Sequence, residues 1–142
     1  MSLSYYCPKH FDPREFVPPE VYKALGDRCI LVMDYRMLKT ADQIREFFGL
    51  PCIINNWHTG KDRKYSGFRP FRCTVGATWS QHRFGRALDM IIPTIDANDA
   101  RSELIKAPKR FPYVTCMEDN VKWLHVDCRA IVGDGEIQLI QS

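Results

Sequence analysis

The apolar residues of this chain change their spacing as the chain runs, and the order of those changes limits the fold more than any other feature. Met37, Ala41, Ile44 and Phe48 recur at helical intervals, with Thr40 and Gln43 as a capping box and Gly49 as a stop. After Pro51, the run Cys52-Ile53-Ile54-Asn55-Asn56 is strand-like, and residues 86–92 read as a second strand. A helix follows over about 98–106. Residues 113–118 and 123–129 then form a hairpin around Asp119-Asn120-Val121-Lys122, and 137–140 adds a short edge strand. Helices and mostly antiparallel strands in this order predict an α+β domain. At 142 residues the whole chain, 1–142, fits a single domain that can bury a core without disulfide staples. Residues 1–20, rich in proline and aromatics, read as an extended arm laid over that domain, with a short helix over about 19–25.

Several classes are excluded early. A hydrophobic fraction of 45% with 26% charged residues rules out disorder and coiled coil. No apolar run approaches the ~18 residues of a membrane span, and Met1-Ser2-Leu3-Ser4-Tyr5-Tyr6 has no basic and apolar leader. The expectation is a cytoplasmic protein with no membrane partner, one that meets anything outside the cell only after release. The six cysteines form no C-x-x-C pair and are expected to be reduced, buried, small apolar residues. The net charge of +3 is too small to imply nucleic acid, and no nucleic-acid partner is expected. Between Lys61 and Arg86, however, seven basic residues face one acid, so this segment is +6 and the remainder −3. Such a field suits an anionic ligand, or else it is a solvated loop kept soluble by its charges. Residues 57–81 carry no clean periodicity, and so long a connection in a compact domain is more often functional than idle.

Two segments hold most of the chemistry-bearing side chains, Ser80-Gln81-His82-Arg83-Phe84-Gly85-Arg86-Ala87-Leu88-Asp89 and Glu118 to Asp127. His82 and Asp89 would stand ~23 Å apart in a straight strand and ~10 Å apart along a helix. Ligands of one zinc must lie within about 4 Å of each other, so joint ligation requires a bend, and Gly85 is the residue that can take it. In the hairpin, central residues Asn120-Val121 would place Glu118 opposite Trp123 and Cys116 opposite His125, with Glu118, Trp123 and His125 on one face. His82, Asp89 and His125 would then be three metal ligands with a fourth position open, the pattern of a catalytic zinc site. Glu118 would be the base, and Arg69, in Ser66-Gly67-Phe68-Arg69, a planar fork for a carboxylate or developing oxyanion. The same residues have plain structural readings: Asp89 as salt-bridge partner of Arg86 or Arg129, His82 and His125 as core or surface histidines, Glu118 at a hairpin mouth, Trp123 in the core. Asp127 shares the His125 face, either supporting that histidine or as an exposed strand residue. His10 and His58 read as structural or exposed.

At these residues the sequence resembles the zinc D-alanyl-D-alanine carboxypeptidases and dipeptidases, together with the related phage and bacterial endolysins. The signature S-x-H-x-x-G-x-A-x-D is complete as Ser80, His82, Gly85, Ala87 and Asp89. A second signature, an acid followed by an aromatic and His-Val-Asp, is similar to Glu118, Trp123, His125, Val126 and Asp127, and S-G-[YF]-R matches Ser66-Gly67-Phe68-Arg69. The resemblance covers about residues 30–130. It implies a zinc cofactor held by His82, Asp89 and His125, Glu118 as general base, and Arg69 at the substrate carbonyl or carboxylate. Ser80, Arg69 and Trp123 would contact the substrate, a peptidoglycan stem peptide. The implied fold is the small domain shared with the hedgehog signalling domain, an antiparallel sheet with helices on one side. In several members the acid lies three residues before the last histidine, or a second histidine two before it; here those places hold Lys122 and Trp123, and the acid is seven back. The expected activity is hydrolysis of amide bonds in cell-wall peptides by a zinc metallopeptidase. The alternative is a non-catalytic zinc-containing domain that binds a ligand or protein on the same scaffold.

Overall fold

The computed structural model describes residues 5–131, 133 and 135–142. Three helices and a small mixed sheet make up its regular structure, an arrangement compatible with the α+β class. The helices are α1 (Pro19–Leu25), α2 (Tyr35–Phe48) and α3 (Ala97–Lys106); the strands are β1 (Ala87–Met90), β2 (Cys116–Asp119), β3 (Leu124–Asp127) and β4 (Gln138–Gln141). The sheet order is β1-β3-β2-β4. β1 and β2 each run antiparallel to β3, whereas β4 joins β2 in parallel, so the sheet is mixed rather than antiparallel as expected. No helix among the described residues is long and apolar enough to cross a membrane.

The helices owe their bounds to local chemistry. α2 begins at Tyr35, earlier than the Thr40–Gln43 box suggested, because the Asp34 carboxylate accepts from the Arg36 N–H at 2.9 Å. Thr40 is interior and donates its hydroxyl to the Arg36 carbonyl. Met37, Ala41 and Ile44 are fully buried, and Gly49 ends the helix in the left-handed region. α3 lies close to its expected span, opened by Asp96, which accepts from the Asn98 N–H.

The N-terminal arm is part of the core rather than a cover over it. Phe16 and Val17 are wholly buried, and Asn55 ties them in: its side chain donates to the Val17 carbonyl and accepts from the Ser66 N–H. That is also why 52–56 is not a strand. Its partners are side chains and the arm, and only Ile53 pairs in strand fashion, with Ile91.

The hairpin pairs Cys116 with Asp127 and Met117 with Val126, two residues away from the expected register. The buried Arg101 of α3 reaches into the turn and donates to the carbonyls of Val121 and Trp123, which holds the turn wide. A slip of two leaves every side chain on its expected face, and the continued ladder sets Glu118 opposite His125. Among the described residues all six cysteines are free, but Cys7 is exposed and Cys73 half-buried, contrary to expectation. Burial pushes the thiols of Cys29, Cys52, Cys116 and Cys128 up to about 11, which suits packing and not nucleophilic chemistry.

Gly85 turns the chain into β1 at φ +67°, and a methyl group there would overlap the Val32 carbonyl oxygen. Gly85→Ala is expected to cost at least about 2 kcal/mol of folding free energy. A urea unfolding curve with an unchanged midpoint would contradict this account of the bend.

Candidate metal centre

The bend at Gly85 brings together residues that are far apart in sequence. His82 lies in a single turn of tight helix, Gln81–Phe84, whose start is capped by Ser80 Oγ accepting from the His82 N–H at 3.3 Å. Asp89 follows on β1, and the β1–β3 register sets it directly across from His125. On the page of the sequence nothing announces that pairing, since the register of β1 against β3 has no local signal. The three residues are 2%, 5% and 2% exposed. His125 Nδ1 lies 2.8 Å from Asp89 Oδ1, and His82 Nε2 lies 3.2 Å from Asp89 Oδ2. One ligand atom from each of the three lies within 4.8 Å of the other two.

The outer ring nitrogens are held as metal-binding imidazoles require. His82 Nδ1 faces the Gly67 carbonyl at 2.7 Å; a carbonyl only accepts, so Nδ1 carries a proton and Nε2 is the ring nitrogen turned toward Asp89. His125 Nε2 faces Asp127 Oδ2 at 2.8 Å, which leaves Nδ1 toward the cluster. Asp127 is fully buried, and Arg129 grips it through two bonds of 2.8 and 2.6 Å, so Asp127 supports His125 and is not an exposed strand residue. Two imidazoles and a carboxylate are a donor set that suits a divalent ion such as zinc, and also other first-row metals.

Arg69 is the arginine that pairs with Asp89, in place of Arg86 or Arg129: its Nη2 is 3.0 Å from Asp89 Oδ2, and its Nε donates to the Tyr65 carbonyl. Glu118 stands with Oε2 3.9 Å from His125 Nδ1 and its side chain 24% exposed. A cleft of about 890 Å³ opens over the cluster and is lined by Arg69, Ser80, His82, Asp89, Glu118, Trp123 and His125, so all seven expected site residues meet in one space. Trp123 is half-buried, and its indole N–H is buried without a partner, as is the Gln81 side-chain oxygen. His10 pairs with Glu46, and His58 stays away from the cleft.

Three members of the cationic segment turn inward. Arg63 donates to the carbonyls of Ile54 and Asp89. Arg83, 7% exposed, donates to those of Pro70, Phe71, Cys73 and Ala77. The residue-by-residue reading missed these roles because buried arginines binding backbone leave no spacing pattern. Arg63, Arg69 and Arg83 thus make part of the segment an internal brace, while Lys61, Lys64 and Arg72 stay exposed.

Within the cluster, burial opposes charge on both Asp89 and His125, and the pairing outweighs it. Asp89 is held well below the usual carboxylate range against desolvation, by the charges and hydrogen bonds of His82 and His125. Desolvation lowers His125, but the hydrogen bonds of Asp127 and Asp89 win and push it up to about 9. The geometry agrees: a carboxylate oxygen at each ring nitrogen requires two N–H groups. A proton on Nδ1 thus occupies the place a metal ion would take.

Comparison of the chain with protein-family models, with curated proteins and with solved structures returns no match.

For His125 the folded value lies above the ordinary 6.5, so its stabilising contribution is complete below about 6.5 and is lost as pH rises through about 9. Chelator-treated protein is therefore expected to show a falling Tm across that window. Zinc affinity should rise over the same window as the proton ceases to compete, with protons released on binding at neutral pH. Titration calorimetry in buffers of different ionisation enthalpy checks the release; a Tm and an affinity flat from pH 6.5 to 9 would refute the assignment.

Proposed function

We propose that this chain is a zinc-dependent metallopeptidase that hydrolyses amide bonds in peptidoglycan stem peptides, as the D-alanyl-D-alanine carboxypeptidases and related endolysins do. The observation that carries the reading is the convergence of His82, Asp89 and His125 at the floor of one cleft, each imidazole fixed through its other nitrogen. Those three residues would hold the ion, and the hedgehog-like form of the α+β domain belongs to the same proposal. When bound, the ion supplies Lewis acidity, which polarises a carbonyl and acidifies water near neutral pH.

The remaining work falls to the chain's own side chains. Glu118 reaches the cleft beside His125 and accepts a proton from the attacking water, then delivers it to the leaving nitrogen. The water oxygen bonds to the carbonyl carbon and the C–N bond breaks, leaving a carboxylate and an amine. Arg69, braced by Asp89 and the Tyr65 carbonyl, offers its guanidinium edge to the substrate carbonyl oxygen. Ser80 and Trp123 line the walls that orient the peptide.

Glu118→Gln removes the base while keeping the shape. It is expected to lower kcat by roughly 10²-fold or more with zinc content unchanged, whereas His125→Ala should lose zinc. Mass spectrometry of muropeptides after incubation with zinc-loaded protein, with and without chelator, gives the readout. Full turnover in Glu118→Gln removes the base assignment. Zinc bound without any hydrolysis assigns the chain to the non-catalytic binding reading instead.

A further inference from the structure

The cleft of about 890 Å³ presents two kinds of surface. Charged groups surround the imidazoles, with Arg69 bonded to Asp89 and Glu118 beside His125. The wall formed by Ala77, Thr78, Trp79 and Ser80 carries no charge. Trp79 is 76% exposed, more than any other large apolar side chain among the described residues. A tryptophan can bury roughly 150–250 Å², and here most of the residue stands in water at the edge of a cleft.

The backbone that carries this indole is fixed. The Ser80 N–H donates to the Ala77 carbonyl at 3.1 Å, closing a turn with Thr78 and Trp79 at its centre. Arg83 Nε donates to the same carbonyl at 3.3 Å, and the Arg83 N–H donates to the Ser80 carbonyl at 3.0 Å. The turn that bears Trp79 is thus bonded to the one that bears His82. Three steps of chain separate the two residues, at most ~10 Å of backbone. An extended peptide rises ~3.4 Å per residue, so about three residues cover the same span.

A fixed, flat aromatic face with hydroxyls beside it suits a ring that is apolar on one side and hydroxylated around its rim. A pyranose has that chemistry, and a stem peptide is joined through its amino end to a sugar of the glycan strand. Resting on the metallopeptidase reading above, we infer that the chain acts on stem peptides still joined to their glycan, with Trp79 stacked on a sugar ring. Thr78 and Ser80 offer hydroxyls at the rim of that ring; Ser80 Oγ accepts from the His82 N–H and keeps its own hydrogen to donate. Trp79 touches the sugar and not the reacting amide, so its contribution falls on binding rather than on the chemical step.

The test uses one stem peptide in two forms, carrying its disaccharide or with an acetyl group in place of the sugar, each incubated with the zinc-loaded full chain. The disaccharide form is expected to have the lower KM, by about tenfold, at similar kcat. Trp79→Ala should raise KM for that form about tenfold and abolish the preference, with zinc content and Tm unchanged, whereas Trp79→Phe keeps an aromatic face and should retain most of it. Equal KM values for the two forms overturn the sugar inference and leave the metallopeptidase reading standing. So does a Trp79→Ala variant that weakens both forms alike, which would set the indole against the peptide instead. No product from either form, in protein shown to hold zinc, overturns both.

Discussion

A carboxylate in the middle of a fully buried strand is the fact around which this molecule is arranged. Asp89 lies in β1, where all four residues are buried, and an ionised group there costs several kcal/mol unless it is paired and hydrogen-bonded. Its partners come from three directions: His125 across the sheet, His82 around the Gly85 bend, and Arg69 from the long connection. Each partner is itself held. His82 leans on the Gly67 carbonyl, and Gly67 packs so closely on the Phe16 carbonyl oxygen that any side chain there would overlap it. His125 leans on Asp127, and Asp127 on Arg129. The buried arm, the connection and the sheet are thereby parts of one frame that ends on a single carboxylate.

The same economy explains why positive charge gathers where regular structure stops. Residues 57–81 hold one short helical turn, Trp57–Thr59, and no strand, so their backbone carbonyls need donors from elsewhere. A guanidinium carries five N–H groups in a fixed fork. Arg83 spends its fork on four carbonyls of the 70–77 stretch, and Arg63 spends its own on Ile54 and Asp89. The Arg83 brace carries part of the cleft wall, from Val75 to Ser80, against the turn that bears His82.

What could be read from the chain beforehand follows from the range of the forces involved. Gly85, Asp89 and the His125–Asp127 alternation were legible because strand period and left-handed turns are local properties. The helix over 98–106 was legible for the same reason. The start of α2 was misplaced because a single aspartate, Asp34, outcompeted a plausible box. The strand expected at 52–56 was lost to Asn55, whose side-chain bonds span 38 and 11 residues. The hairpin register moved by two because Arg101 enters the turn from another helix. Faces survived that error, since parity survives any even slip, and so Glu118 still meets His125. The parallel pairing of β4 and the Asp89–His125 pairing are non-local and had no signal to read.

The signature Ser80, His82, Gly85, Ala87 and Asp89 can be restated as mechanics. Ser80 starts the turn, Gly85 reverses it where a side chain would strike Val32, and Ala87 shares the face of Asp89 directly opposite Asp127. A larger residue at 87 would enter the space of the Asp127–His125 pair, so the position calls for a small one.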